Sequence, residues 1–215
     1  MPSAGEAPPY PCRTNTSIVV SRTIAGGMSK HVINPSAPPG KSRKYALFER
    51  ERCFLLAALP DRPVVRTTRI TDRYVLGTRL RIRQMVEAAG GSTTVVYKLT
   101  QKVPAADSGP GLITTFYLSE RESTALAALP AQKLRKTRYS MPPFGVDVFD
   151  PPLNGLTLAE VEFASDDALN AFVPPPFAVA EVTRDVRFTG GRLVTTDRDE
   201  LLQILASFGI RPGVE

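Results

Sequence analysis

The sequence predicts a mainly β, α+β fold: antiparallel strands with a few short helices set between them. Three observations carry this. Period-two alternation recurs in eight segments between residues 44 and 188. Many of those segments are bounded by turn-forming residues, in a chain with 20 Pro and 15 Gly. Helical spacing appears in only three short stretches.

The first strand runs over 44–56, with Glu49, Glu51 and Cys53 on one face and Phe48, Arg50, Arg52 and Phe54 on the other. The second, over 75–85, sets Arg79, Arg81 and Arg83 against Leu80 and Ile82. The third, over 93–103, is β-branched and aromatic and puts Val96, Lys98 and Thr100 in phase. Residues 112–119 form a fourth. The fifth, over 133–141, brings Lys136 and Arg138 together, and the sixth, over 145–149, exposes Asp147 between two valines. The seventh, over 156–163, carries Glu160 and Glu162 opposite Ala159, Val161 and Phe163. The eighth, over 180–188, aligns Glu181, Thr183, Asp185 and Arg187.

Ser119 and Glu122 form a capping-box pair that opens a short helix through Leu129. Ser165 caps a second helix. The third carries an apolar stripe of Leu201, Leu202, Leu205 and Phe208 and stops at Gly209.

Residues 1–41 are rich in Pro, Ser, Thr and Gly without sustained periodicity, and are expected to form a flexible leader to a single domain over 42–215. Its apolar run Ile18-Val19-Val20 is too short for a secretory signal, and no run reaches the length of a membrane helix. The expected location is therefore cytoplasmic, with no membrane partner.

Composition narrows the chemistry. One histidine, two cysteines and no tryptophan in 215 residues leave no material for a His-rich zinc site, a Cys cluster or a disulfide scaffold. The formal charge of +6 favours an anionic partner if the charges are concentrated. They are concentrated: Glu49/Glu51 and Glu160/Glu162 are acidic pairs, Arg81/Arg83 and Lys136/Arg138 basic ones, and Lys98 adds to the latter. Any single pair reads first as the solvated face of a half-buried sheet, which needs no function. Taken together, like charges two residues apart on one face repel unless something of opposite sign sits between them. Carboxylate pairs suit a hard divalent cation, and basic pairs suit phosphate. A metal–polyphosphate complex satisfies both. Neither a P-loop nor a convincing dinucleotide-binding glycine motif is present.

These residues, in this order, resemble the CYTH superfamily, the triphosphate tunnel metalloenzymes. The opening Glu-x-Glu-x-Lys signature is matched by Glu49-Arg50-Glu51-Arg52-Cys53, and the x-Arg-x-Arg strand by Leu80-Arg81-Ile82-Arg83. Lys98, Lys136-Thr137-Arg138, Asp147 and the late Glu160-Val161-Glu162 follow, so the likeness spans roughly residues 44–194. The resemblance implies a closed eight-stranded antiparallel β-barrel whose tunnel binds triphosphate with Mg²⁺ or Mn²⁺. It implies metal ligation by Glu49, Glu51, Asp147, Glu160 and Glu162, with Glu49 and Glu51 catalytic. It implies phosphate binding by Arg81, Arg83, Lys98, Lys136 and Arg138. The expected activity is metal-dependent hydrolysis of a triphosphate-containing small molecule, inorganic triphosphate by default.

Two positions depart from the pattern. Cys53 stands where the signature has lysine, and residues 112–119 carry Thr114 and Thr115 in place of acids. They keep open the alternative of a catalytically weak polyphosphate- or nucleotide-binding module of the same fold. Without tryptophan, stacking on any organic group would fall to Tyr or Phe, for example Tyr74 or Tyr139. The acidic pairs and the missing RNP-type motif argue against RNA.

Overall fold

A computed structural model describes residues 45–89, 91–103 and 111–212. The expected leader, 1–41, lies outside them. Ten strands run antiparallel: β1 (Leu47–Phe48), β2 (Glu51–Leu56), β3 (Arg66–Val75), β4 (Leu80–Ala89), β5 (Ser92–Val103), β6 (Leu112–Leu118), β7 (Ala131–Met141), β8 (Phe144–Phe149), β9 (Thr157–Glu162) and β10 (Ala178–Glu181). Four helices accompany them: α1 (Glu120–Leu126), α2 (Asp166–Ala171), α3 (Gly190–Leu193) and α4 (Arg198–Ser207). Among the described residues no helix is long and apolar enough to cross a membrane.

The strands form one sheet in the order β1-β6-β5-β4-β3-β7-β8-β9-β2-β10. This corrects the expected closed eight-stranded barrel. The order is linear, with β1 and β10 at its two ends, and among the described residues the ladder does not close. The interruption falls inside the expected first strand. Leu47 and Phe48 pair with β6, whereas Glu51–Leu56 pair with β9 near the opposite end of the sheet. Between them Glu49 N–H donates to the Gly111 carbonyl and the Arg50 carbonyl accepts from Phe163 N–H, so the chain changes partners within two residues.

Although open, the sheet is strongly curled. Lys102 on β5 and Glu51 on β2 are six strand steps apart, which would be about 29 Å on a flat sheet. Their charged atoms lie 3.7 Å apart.

The inner face changes character along the strands. At one end Leu55, Leu134, Phe149 and Leu158 join Leu193 of α3 and Leu201, Ile204 and Leu205 of α4 in the main apolar core. The C-terminal helices thus plug that end of the trough. Asp197 caps α4 by accepting from Glu200 N–H, and Gly209 ends it at φ +76°. A second core of Phe54, Leu56, Met141, Phe144, Val146, Ala159 and Val161 lies on the outer face, against Phe163, Phe172 and Phe177. Burying apolar side chains on both faces fixes the register of β2, β8 and β9.

The capping box at Ser119/Glu122 and the Ser165 cap are present as the sequence predicts. Two expectations fail. A strand over 66–75 was not anticipated. The segment 180–188 is strand only to Glu181, after which Asp185 accepts from Arg187 N–H and opens a 3₁₀ turn over Val186–Phe188.

Candidate active site

Directly opposed residues of an antiparallel pair share a face, so the pairing register places each candidate. Glu51 lies opposite Glu162, and Cys53 opposite Glu160. Glu160 in turn faces Gly145. Arg138 lies opposite Asp147 on one side and Thr68 on the other. Asp72 lies opposite Arg83, and Arg83 opposite Lys98. Followed strand to strand, Glu51, Glu160, Glu162, Asp147, Lys136, Arg138, Arg81, Arg83 and Lys98 all share the inner face. Glu49, in the gap between β1 and β2, reaches the same space through an ion pair with Lys102.

Cations and carboxylates are interleaved there. Arg138 donates from Nε to Asp147 Oδ1 and from Nη2 to Oδ2, both at 2.7 Å, and also bonds Glu160. Lys136 bonds Asp147 too. Arg83 grips Asp72 with Nε at 2.6 Å and Nη2 at 2.7 Å. Arg81 Nε lies 3.7 Å from the same carboxylate and has no hydrogen-bond partner. Lys98 lies over the Tyr117 ring, 5.0 Å from its centre.

The carboxylates differ in electrostatic state. Burial pushes Glu51 up to about 7; Lys102 opposes the rise, and the charges of Glu160, Glu49 and Glu162 add to it. Burial alone would raise Glu160 as well, but Arg138, then Lys136, Arg83 and Lys102, hold it well below the usual carboxylate range. The Cys53 thiol is pushed far above its ordinary value by burial and by the charges of Glu160 and Glu51. That is the opposite of what an activated nucleophile requires.

Several expectations need revision. Asp147 is not exposed: it is fully buried between its two cations. Arg79 precedes β4 and lies in the turn. Tyr139 packs against the outer core, so its ring is not at the charged face. Tyr74 is on the inner face but belongs to the plugged end, packed against the main core. Thr115 hydrogen-bonds Thr100 across β5 and β6 at 3.2 Å.

Two residues of the same charged inner face are not among the sequence's candidates: Lys102 and Asp72. Lys102 continues the phase of Lys98 and Thr100, and that phase could have revealed it. Asp72 lies in the strand that was missed. A cavity of about 260 Å³ adjoins the charged region beyond Lys98, lined by Arg66, Thr68, Met85, Glu87, Thr94, Val96, Lys98 and Tyr117.

No protein-family profile matches the chain. An inorganic triphosphatase from Nitrosomonas europaea is 35% identical over 153 residues, covering 65% of this chain and 92% of that protein. A crystal structure of an inorganic triphosphatase superposes with a TM-score of 0.46 and 27% identity, over 70% of this chain and 96% of the other. A Bacillus halodurans protein, provisionally assigned as an adenylate cyclase, gives a TM-score of 0.40 and 14% identity, over 80% and 95%. With both TM-scores below 0.5, the relationship rests on the sequence match.

Proposed function

The chain belongs to the CYTH superfamily, and from that premise we propose that it is a divalent-metal-dependent triphosphatase that hydrolyses inorganic triphosphate on the inner face of its curled sheet. The observation that carries the reading is the shared face: the basic pairs Arg81/Arg83 and Lys136/Arg138, with Lys98 and Lys102, meet the carboxylates of β2 and β9 in one space.

The donor set fits a hard divalent cation. Glu51 lies directly opposite Glu162, so two carboxylates meet across the β2–β9 pair. Among the described residues no three His, Cys, Asp or Glu side chains converge as they stand. Glu49 and Glu51 are drawn to Lys102, and Glu160 to Arg138. Glu49, Glu51, Glu160 and Glu162 would hold Mg²⁺ or Mn²⁺, both of which favour carboxylate oxygen. When bound, such an ion polarises the phosphoryl group and lowers the pKa of a coordinated water.

The chain's own residues do the rest. Arg81, Arg83, Lys136 and Arg138 present N–H donors suited to phosphate oxygens, the arginines bidentately. With Lys98 and Lys102 they offset charge on the transferring group and on the leaving pyrophosphate. Asp147, sealed between Lys136 and Arg138, is better placed to orient those cations than to ligate a metal.

The test is phosphate release from inorganic triphosphate with Mg²⁺, with Mn²⁺ and with EDTA. Release that requires metal is expected; none with either metal overturns the reading. Cys53, uncharged opposite Glu160, favours one second reading, a module that binds polyphosphate without turning it over. Tight triphosphate binding without phosphate release would establish that alternative.

A further inference from the structure

Each basic pair on the inner face has a buried aspartate on the neighbouring strand. Asp147 on β8 faces Arg138 and also takes Lys136, two residues along. Asp72 on β3 repeats this: it faces Arg83, and Arg81, two residues along, approaches the same carboxylate. Asp72 is 1% exposed. Like charges two apart on one strand repel, and these aspartates are what holds them together before any ligand arrives.

We infer that Asp72 is a positioning residue: it sets the spacing and orientation in which Arg81 and Arg83 meet triphosphate. The inference rests on the triphosphatase reading above. Arg83 gives its Nε and Nη2 edge to Asp72, so its Nη1 side is the part left to turn toward a ligand. Arg81 is held by charge alone, with a buried Nε that has no acceptor. That donor is one the ion pair with Asp72 does not satisfy. Nor is a buried ion pair an efficient stabiliser, because desolvation offsets most of its Coulombic gain. The arrangement makes sense as a clamp that fixes one guanidinium firmly and leaves its neighbour a vacant bond.

The test compares Asp72→Asn, which removes the charge, and Asp72→Glu, which keeps it but moves the carboxylate by one methylene. Rates are normalised to the folded fraction. A positioning role predicts that kcat falls about tenfold to hundredfold in both variants. KM for triphosphate in Asp72→Asn should be unchanged or lower, because the anion then meets one negative charge fewer. Asp72→Glu retains the counter-charge and serves if Asp72→Asn does not fold. A purely structural role would lower the melting temperature and leave kcat per folded molecule at the wild-type value, which overturns the inference. Should wild-type protein release no phosphate, the hydrolytic reading fails by itself. Calorimetric titration with triphosphate then decides: binding about tenfold weaker in Asp72→Glu supports the clamp, and equal affinity overturns it.

Discussion

Arg83 and Asp72 lie directly opposite each other on β4 and β3, joined by two hydrogen bonds of 2.6 and 2.7 Å, with the carboxylate almost wholly buried. Burial alone would raise the Asp72 pKa, yet Arg83, then Arg81 and Lys136, hold it below the ordinary value. A carboxyl whose folded pKa is depressed contributes stability above its unfolded pKa of about 3.9, and loses it as the pH falls through the folded value. Asp72→Asn is therefore expected to cost about 3–5 kcal/mol at pH 7. The gap to wild type should narrow as the pH drops below about 4. Thermal melts of both proteins from neutral to acid pH check this, and a gap independent of pH would count against it.

Glu51 and Glu162 face each other as like charges. Replacing Glu49 and Glu51 together by Gln keeps their shape and removes two charges. Metal-dependent phosphate release should fall by about 10²-fold or more. In metal-free protein the melting temperature should change little, because relief of the cross-strand repulsion, about 0.2–1 kcal/mol, is offset by loss of the two ion pairs to Lys102. Calorimetry with Mg²⁺ and Mn²⁺ is the companion measurement; wild-type metal affinity would remove both residues from the ligand set.

Cys53 shares the charged face, but its thiol is held protonated. Iodoacetamide at mildly alkaline pH should leave it unmodified in the native protein and alkylate it after denaturation, read by peptide mapping. Cys53→Ser should keep phosphate release within about threefold of wild type, since removing a group without a chemical role costs little transition-state stabilisation. Rapid native alkylation together with an inactive serine variant would make the thiol functional.

At the plugged end, a Cβ added to Gly190 would lie 1.9 Å from the Tyr74 hydroxyl oxygen. Gly190→Ala should therefore destabilise the fold by about 1–3 kcal/mol, the usual cost of overpacking. Adding Tyr74→Phe removes the clashing oxygen and should recover part of the loss. The four melting temperatures of that cycle give the answer, and strict additivity would show that the two residues do not meet.

Much of the strand layout could be read from the sequence because strands such as β9 alternate between two chemically distinct faces, Glu160 and Glu162 against Ala159 and Val161. The strand β3 could not. Its inner-face positions are Thr68, Ile70, Asp72 and Tyr74, the first three of them buried, so only one aliphatic side chain marks that face. Where a strand buries charge, hydropathy alternation loses its contrast, and Asp72 was missed for that reason. The segment after Glu181 failed in the opposite way: period-two spacing was present, but Asp185 bonds its own backbone neighbour and turns the chain. The break at Glu49–Arg50 left no mark in composition, since pairing partners are set by long-range register. That the candidate residues share one face was legible by phase. Their counter-ions were not, because an ion pair across strands depends on which residues stand opposite.

On three strands the inner face passes from core to charge within a few residues: Leu55, Cys53, Glu51 on β2; Leu134, Lys136, Arg138 on β7; Leu158, Glu160, Glu162 on β9. A slip of one pleat repeat on any of them would exchange an aliphatic side chain for a polar or ionised one beneath the C-terminal helices. On β7 it would move the already buried Lys136 into the apolar core in place of Leu134. The hydrophobic free energy of the plug therefore proofreads the alignment of the ionic lattice. An alignment error large enough to misplace a charged group by one repeat also opens the core, so misregistered molecules unfold instead of persisting as inactive copies.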